Sequence, residues 1–98
     1  MAVTGALKTF LARVEVTLKP AVNDPQGNTV KGALAALGFD GLQDVRVGKY
    51  MELRLVAESA PAAERRVDEM CRRLLANPVI EDYRYSIEER PDRLPGEA

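Results

Sequence analysis

The sequence predicts an α+β domain of the two-layer ferredoxin-like type, βαββαβ, with an antiparallel sheet and two helices on one face. Three observations lead there. Apolar residues alternate with polar ones at Ala12, Val14, Val16 and Leu18, and again at Met51, Leu53, Leu55 and Ala57, the period of a half-buried strand. Between and after these runs the apolar spacing switches to that of a helix face, at Val30, Ala33, Leu34 and Leu37, then at Ala63, Val67, Met70, Cys71 and Leu74. Residues that start and stop helices stand at the ends of both stripes.

Taken in order, the first strand ends at Leu18, and Lys19 to Asn23 turn the chain. Asp24 is the candidate N-cap of the first helix, and Pro25 stands at its first position, where a fixed φ helps and a missing N–H costs nothing. Gly38 ends that helix. Val45 and Val47 predict a second strand, with Gly48-Lys49 as a tight turn or bulge leading into the third at Met51–Ala57. The two strands are close enough in sequence to form a hairpin. Ser59 caps the second helix with Pro61 in its first turn, and Glu69 and Arg73 make a favourable four-residue pair. Asn77-Pro78 stops the helix, and Tyr83, Tyr85 and Ile87 share one parity of the last strand.

At 98 residues the chain makes one domain, which buries only about 60–65% of its unfolded surface. Burial of its sheet by a partner would therefore add stability that one copy lacks. Fourteen Lys and Arg against 15 Asp and Glu give a net charge of -1, interspersed along the chain. This argues against a nucleic-acid footprint, which needs a basic excess on one face. No apolar run has the length of a membrane span, and the opening residues lack a signal-peptide core. A cytoplasmic protein is expected.

The chemistry-bearing residues are few. With no histidine there is no imidazole catalysis or His metal site, and one cysteine cannot build a structural zinc site. No phosphate-binding glycine pattern occurs. Cys71 falls among helix residues of the apolar stripe and reads as a small buried hydrophobe. Glu81, Asp82, Glu88 and Glu89 cluster near the last strand without an orienting partner for acid–base work. Arg46 and Lys49 either bind an anion or solvate a strand end. Tyr83 and Tyr85 suit a subunit contact, where a ring gives area and a hydroxyl a polar tip.

Several blocks carry a resemblance beyond the fold. Leu18-Lys19-Pro20 with Asp24-Pro25-Gln26-Gly27, then Leu37-Gly38-Phe39 leading to Val45-Arg46-Val47-Gly48-Lys49, and finally Cys71 through Tyr83, arrive in the order and spacing of the PurS family. The likeness covers roughly Arg13 to Glu89 and implies a domain over residues 11–89, an N-terminal extension over 1–10 and a flexible tail over 90–98. It implies a non-catalytic small subunit of formylglycinamide ribonucleotide amidotransferase in purine synthesis. Such a subunit would bridge a glutaminase and a large synthetase, assist ammonia transfer and form a homodimer or homotetramer. ATP and magnesium would belong to the synthetase, with no cofactor bound by this chain. Arg46, Lys49, Asn77, Pro78, Tyr83 and Tyr85 are then the candidate subunit-interface residues, with no catalytic or metal-binding residue expected. Two alternatives share the strand order: an ACT-like small-molecule-binding regulatory module and a small acylphosphatase-like enzyme, the latter without a convincing phosphate loop.

Overall fold

A computed structural model describes residues 7–90 of the chain. Strand β1 spans Lys8–Leu18, helix α1 Pro25–Ala36, strand β2 Gly48–Ala57, helix α2 Ala60–Met70 and strand β3 Glu81–Arg90. A π-helical turn, Cys71–Leu75, continues α2. The sheet is antiparallel, with β1 in the centre between β2 and β3.

The α+β ferredoxin-like class stands, but with three strands rather than four. Residues 42–47 form no strand, and Gly48-Lys49 is no turn. Both residues belong to the ladder, which pairs Gly48 with Thr17 and Lys49 with Val16. Residues 45–47 cannot fold back as a hairpin because their backbone is used elsewhere: the Val47 N–H donates to Asp24 Oδ2 at 2.7 Å. Gly48 is required by close approach rather than by positive φ. A Cβ there would meet the Val16 carbonyl oxygen, with Thr17 Cγ2 at 3.0 Å.

Part of the expected extension over residues 1–10 falls within the described residues. Lys8, Thr9 and Phe10 are strand residues, and Phe10 is buried. Residues 1–6 and 91–98, and so most of the expected tail over 90–98, lie outside the described residues, while Arg90 closes β3.

The caps form as their residues dictate. Asp24 Oδ1 accepts the Gly27 N–H at 2.9 Å and Ser59 Oγ accepts the Ala62 N–H at 3.2 Å. Helix α1 ends with Gly38 at φ 95, its N–H on Ala35 O and the Phe39 N–H on Leu34 O. That paired arrangement is a Schellman motif, for which the φ of glycine is suited.

The core lies between α2 and the sheet. Ala12, Val14 and Val16 of β1 meet Val67, Cys71 and Ala76, flanked by Leu53, Leu55, Tyr83, Tyr85 and Ile87. Phe10, Ala57 and Ala63 close the other end. A fully buried aliphatic side chain gains about 1.5–3 kcal/mol, so the central strand and the Ala63–Val67–Cys71 stripe carry the fold. Burial pushes the Cys71 thiol pKa upward, as suits a packing residue rather than a nucleophile.

Helix α1 corrects the expectation of two helices on one face. Only α2 packs broadly on the strands. The one buried residue of α1 is Gly27, whereas Val30 is 41% and Leu37 74% exposed. The molecule is accordingly long, 59 × 33 × 17 Å, with a radius of gyration of 18.1 Å. A compact chain of this length would have about 13 Å.

The opposite face of the sheet is charged rather than apolar. Arg13 pairs with Glu88 at 2.8 Å, and Arg84 with Glu15 at 2.7 Å. Tyr50 donates to Glu52 at 2.8 Å. These exposed pairs contribute little stability and leave the face well solvated.

Candidate functional site

The β1–α1 joint and the chain entering β2 meet at one end of the sheet. Asp24 organises this end. It is 3% exposed, and its two carboxylate oxygens accept from Gly27 at the start of α1 and from Val47 in the segment before β2. The N–H of Val47, then that of Gly27, hold its carboxyl below the usual carboxylate range, with the Arg46 charge adding to the effect.

Gly27 makes the close approach possible, because a Cβ there would fall on the Val45 carbonyl oxygen. Arg46 secures the other side. Its Nη2 donates to the carbonyls of Lys19 at 2.9 Å and Val22 at 2.8 Å, tying the 42–47 segment to the turn after β1. Lys31 Nζ adds a bond to Gln43 O at 2.7 Å. Arg46 therefore holds backbone carbonyls, a role distinct from both anion binding and strand-end solvation.

The turn into β3 joins the same end. Asn77 Oδ1 accepts the Val79 N–H at 3.0 Å, and its own N–H donates to Glu81 Oε1 at 2.7 Å. Lys49 Nζ stands 3.9 Å from Glu81 Oε2. Lys19 donates its backbone N–H to Ile80 O at 2.8 Å and pairs through Nζ with Asp82 at 2.9 Å. Between these parts lies a cleft of about 290 Å³, walled by Val16, Leu18, Pro25 and Val47 with Lys49 and Glu81.

The structure thus gathers Arg46, Lys49, Asn77 and Pro78 near one end, all four on exposed positions. Tyr83 and Tyr85 stand apart on the inner face, half-buried, with ring centroids 6.3 Å apart. Tyr83 donates its hydroxyl to Asp68 Oδ1 at 2.7 Å, and Arg72 donates to Asp68 Oδ2 at 2.8 Å. The Tyr83 bond, then the Arg72 bond, lowers the Asp68 pKa, and the same contact raises that of Tyr83. Burial raises the pKa of Tyr85.

Asp24, Gly27 and Asp68 complete these sites. The sequence marks Asp24 only as a cap, and nothing local marks its bond to Val47. Gly27 carries a signal: a glycine inside a helix costs about 1 kcal/mol relative to alanine, so one in the first turn points to a close backbone approach. Asp68 reads as a solvated helix residue until β3 brings Tyr83 beside it.

Chemically, the end of the sheet is a scaffold. The Asp24 carboxylate is committed to two backbone donors. Among the described residues, no group of three or more His, Cys, Asp or Glu is placed to hold a metal ion. No helix among them is long and apolar enough to cross a membrane.

The committed Asp24 carboxylate makes stability depend on pH. Its folded pKa is lowered, so its contribution is present above the unfolded carboxylate pKa and is lost as pH falls through the lower folded value. Asp24→Asn should lower the Tm by several degrees at pH 7, and its deficit against wild type should shrink toward pH 3. Melting curves across that range test this; a deficit constant with pH contradicts it.

Comparison with known proteins agrees with this architecture over nearly the whole domain. The family model PurS, described as phosphoribosylformylglycinamidine (FGAM) synthase, matches residues 11–89. The PurS subunit of phosphoribosylformylglycinamidine synthase from Bacillus subtilis is 50% identical over 80 residues, covering 82% of this chain and 94% of that protein. A solved structure of B. subtilis PurS superposes with a TM-score of 0.72 at 50% identity, over 82% of this chain and 99% of that one. A chain in the structure of PurLQS from Thermotoga maritima gives a TM-score of 0.72 at 30% identity, over 84% of this chain and 98% of that one. With the family's blocks matched in sequence and its fold matched in space, the chain belongs to the PurS family.

Proposed function

We propose that this protein is a non-catalytic subunit of a phosphoribosylformylglycinamidine synthase, acting in the cytoplasm in de novo purine synthesis. It bridges the glutaminase and the large synthetase subunit and assists the passage of ammonia between them. ATP and magnesium are used by the synthetase and none is bound here. The chain assembles as a homodimer or homotetramer, with Arg46, Lys49, Asn77, Pro78, Tyr83 and Tyr85 in or beside its subunit contacts.

The observation that carries this reading is the match along 98% of a chain in a PurLQS structure. The site chemistry supports it as well. The buried Asp24 carboxylate is spent on backbone donors, and Cys71, at the end of α2, is packed against the sheet with a raised pKa. A regulatory ACT-like module is not favoured.

Co-elution tests the assembly. Mixed with its glutaminase and synthetase in the presence of glutamine, ATP and magnesium, the chain should elute in one complex with both. Elution apart from both partners under those conditions contradicts the reading.

A further inference from the structure

Strand β3 is an edge of the sheet, and among the described residues no strand takes its far side. Edge strands are commonly guarded by proline, by a bulge or by short length. Strand β3 has none of these. It runs for ten residues without proline or glycine, and its register with β1 is unbroken from Leu18–Glu81 to Thr9–Arg90. A row of backbone donors and acceptors is therefore open to another strand. Charge is its one guard, and the order of the charges selects the partner.

We propose that β3 pairs antiparallel with β3 of a second copy, centred on Ser86, so that the two three-stranded sheets run on as one. The proposal rests on the homo-oligomer of the functional reading and assigns one of its contacts.

The outer face of β3 carries Asp82, Arg84, Ser86, Glu88 and Arg90, a sequence of charges that inverts about Ser86. A two-fold axis normal to the sheet keeps the two charged faces together and sets residues of like parity opposite one another. Among registers that pair most of the strand, one centred on Arg84 opposes that residue to itself. Centred on Tyr85, the register sets Asp82 against Glu88, and centred on Ile87 it sets Arg84 against Arg90. Only the Ser86 centre opposes unlike charges throughout, with Asp82 facing Arg90 and Arg84 facing Glu88, each twice. On the inner side Tyr85 then faces Ile87, a favourable cross-strand pair of an aromatic and a β-branched residue.

Within one chain Arg84 already pairs with Glu15, and Glu88 with Arg13. The seam joins these into one row, Glu15–Arg84–Glu88–Arg13, crossing between copies. Arg84 leaves 81% of its side chain in solvent and Glu88 48%, so both have room for a second partner. The groove beside α2 on this flank, lined by Glu64, Arg65, Asp68 and Arg72 with Tyr85, likewise offers both signs of charge to a symmetric copy. On the other edge, a register of β2 centred on Leu53 offers a single such pair, Glu52 with Arg54. Two-fold pairing uses up both β3 edges and closes the contact.

Complementation between two variants tests the register. Arg84→Glu sets carboxylates opposite each other at both facing pairs, and Glu88→Arg sets guanidinium groups opposite each other there. Like charges directly opposite destabilise paired strands, so each variant alone should weaken the contact by about tenfold or more in sedimentation. An equimolar mixture restores unlike charges at both pairs and should recover the wild-type assembly. Ser86→Cys supplies a readout that leaves the charges intact. A short bis-maleimide should link position 86 to position 86, whereas the wild-type chain, whose Cys71 is buried, should give no link. Assembly unchanged in both variants, a mixture that fails to recover it, or an oligomer without the 86–86 link overturns this contact alone. A wild-type chain that sediments as a monomer overturns both the contact and the homo-oligomer.

Discussion

Gly27→Ala should loosen α1 from the rest of the protein, although the same change elsewhere in the helix should stabilise it. The added methyl would fall on the Val45 carbonyl oxygen, 2.9 Å from Asp24 Oδ2 and 3.0 Å from Asp24 Cγ. Two of these obstacles belong to the carboxylate that holds the joint, and the third is backbone. Overpacking of this kind costs about 1–3 kcal/mol, against a helix-propensity gain of about 1 kcal/mol for replacing glycine. The steric term wins, and one kcal/mol lowers the Tm of a domain this size by about 4–8 °C. Gly32 supplies the control: a Cβ there has open space, so Gly32→Ala should stabilise by about 0.4–1 kcal/mol. Hydrogen exchange gives a local readout, with the Val47 amide exchanging faster in Gly27→Ala because its acceptor is Asp24. Equal melting of the two variants would contradict the role given to Gly27.

Arg46→Glu should have a comparably large local effect. Two charge-assisted hydrogen bonds to Lys19 O and Val22 O are lost, and a carboxylate is placed against those carbonyls near Asp24. Bonds from a charged donor contribute about 1.5–3 kcal/mol each, the lower value being appropriate for an exposed side chain. The turn after β1 and the 42–47 segment should both lose exchange protection, while β1 and α2, which share the core, keep theirs. Arg46→Lys should recover part of the loss, since an ammonium keeps the charge without the planar fork. Protection unchanged in Arg46→Glu would show that the guanidinium does not hold the turn.

Most of the architecture was legible because local chemistry and tertiary packing agree. Ala12, Val14 and Val16 alternate and are buried as β1 requires. Asp24, Ser59 and Gly38 cap and stop their helices as their side chains and φ preferences dictate. Glu69 and Arg73 meet at 2.9 Å along α2.

One departure comes from a long-range contact overriding a short-range pattern. Val45 and Val47 alternate like a strand, yet a carboxylate 23 residues earlier takes the Val47 N–H. Val30, Ala33, Leu34 and Leu37 recur at helical spacing, but periodicity names an apolar side of a helix and not what covers it, and here Val30 and Leu37 stay exposed. Tyr83 was readable as an aromatic with a polar tip, whereas its partner Asp68 came from another element. Of the candidate interface residues, Arg46, Lys49, Asn77 and Pro78 do gather at one end of the sheet. The blocks that held them marked the place, and the hydrogen bonds there could be read only from the folded chain.

The central claim is that this chain couples two enzymes without performing chemistry of its own. The most direct measurement is amidation by reconstituted glutaminase and synthetase, with and without the chain, using glutamine or ammonium as the nitrogen source. The account predicts that omission cuts glutamine-dependent turnover at least tenfold, that ammonium restores a substantial part of it, and that the chain alone hydrolyses no glutamine. Glutamine-dependent turnover unchanged by omission, or glutamine hydrolysis by the chain alone, would contradict it.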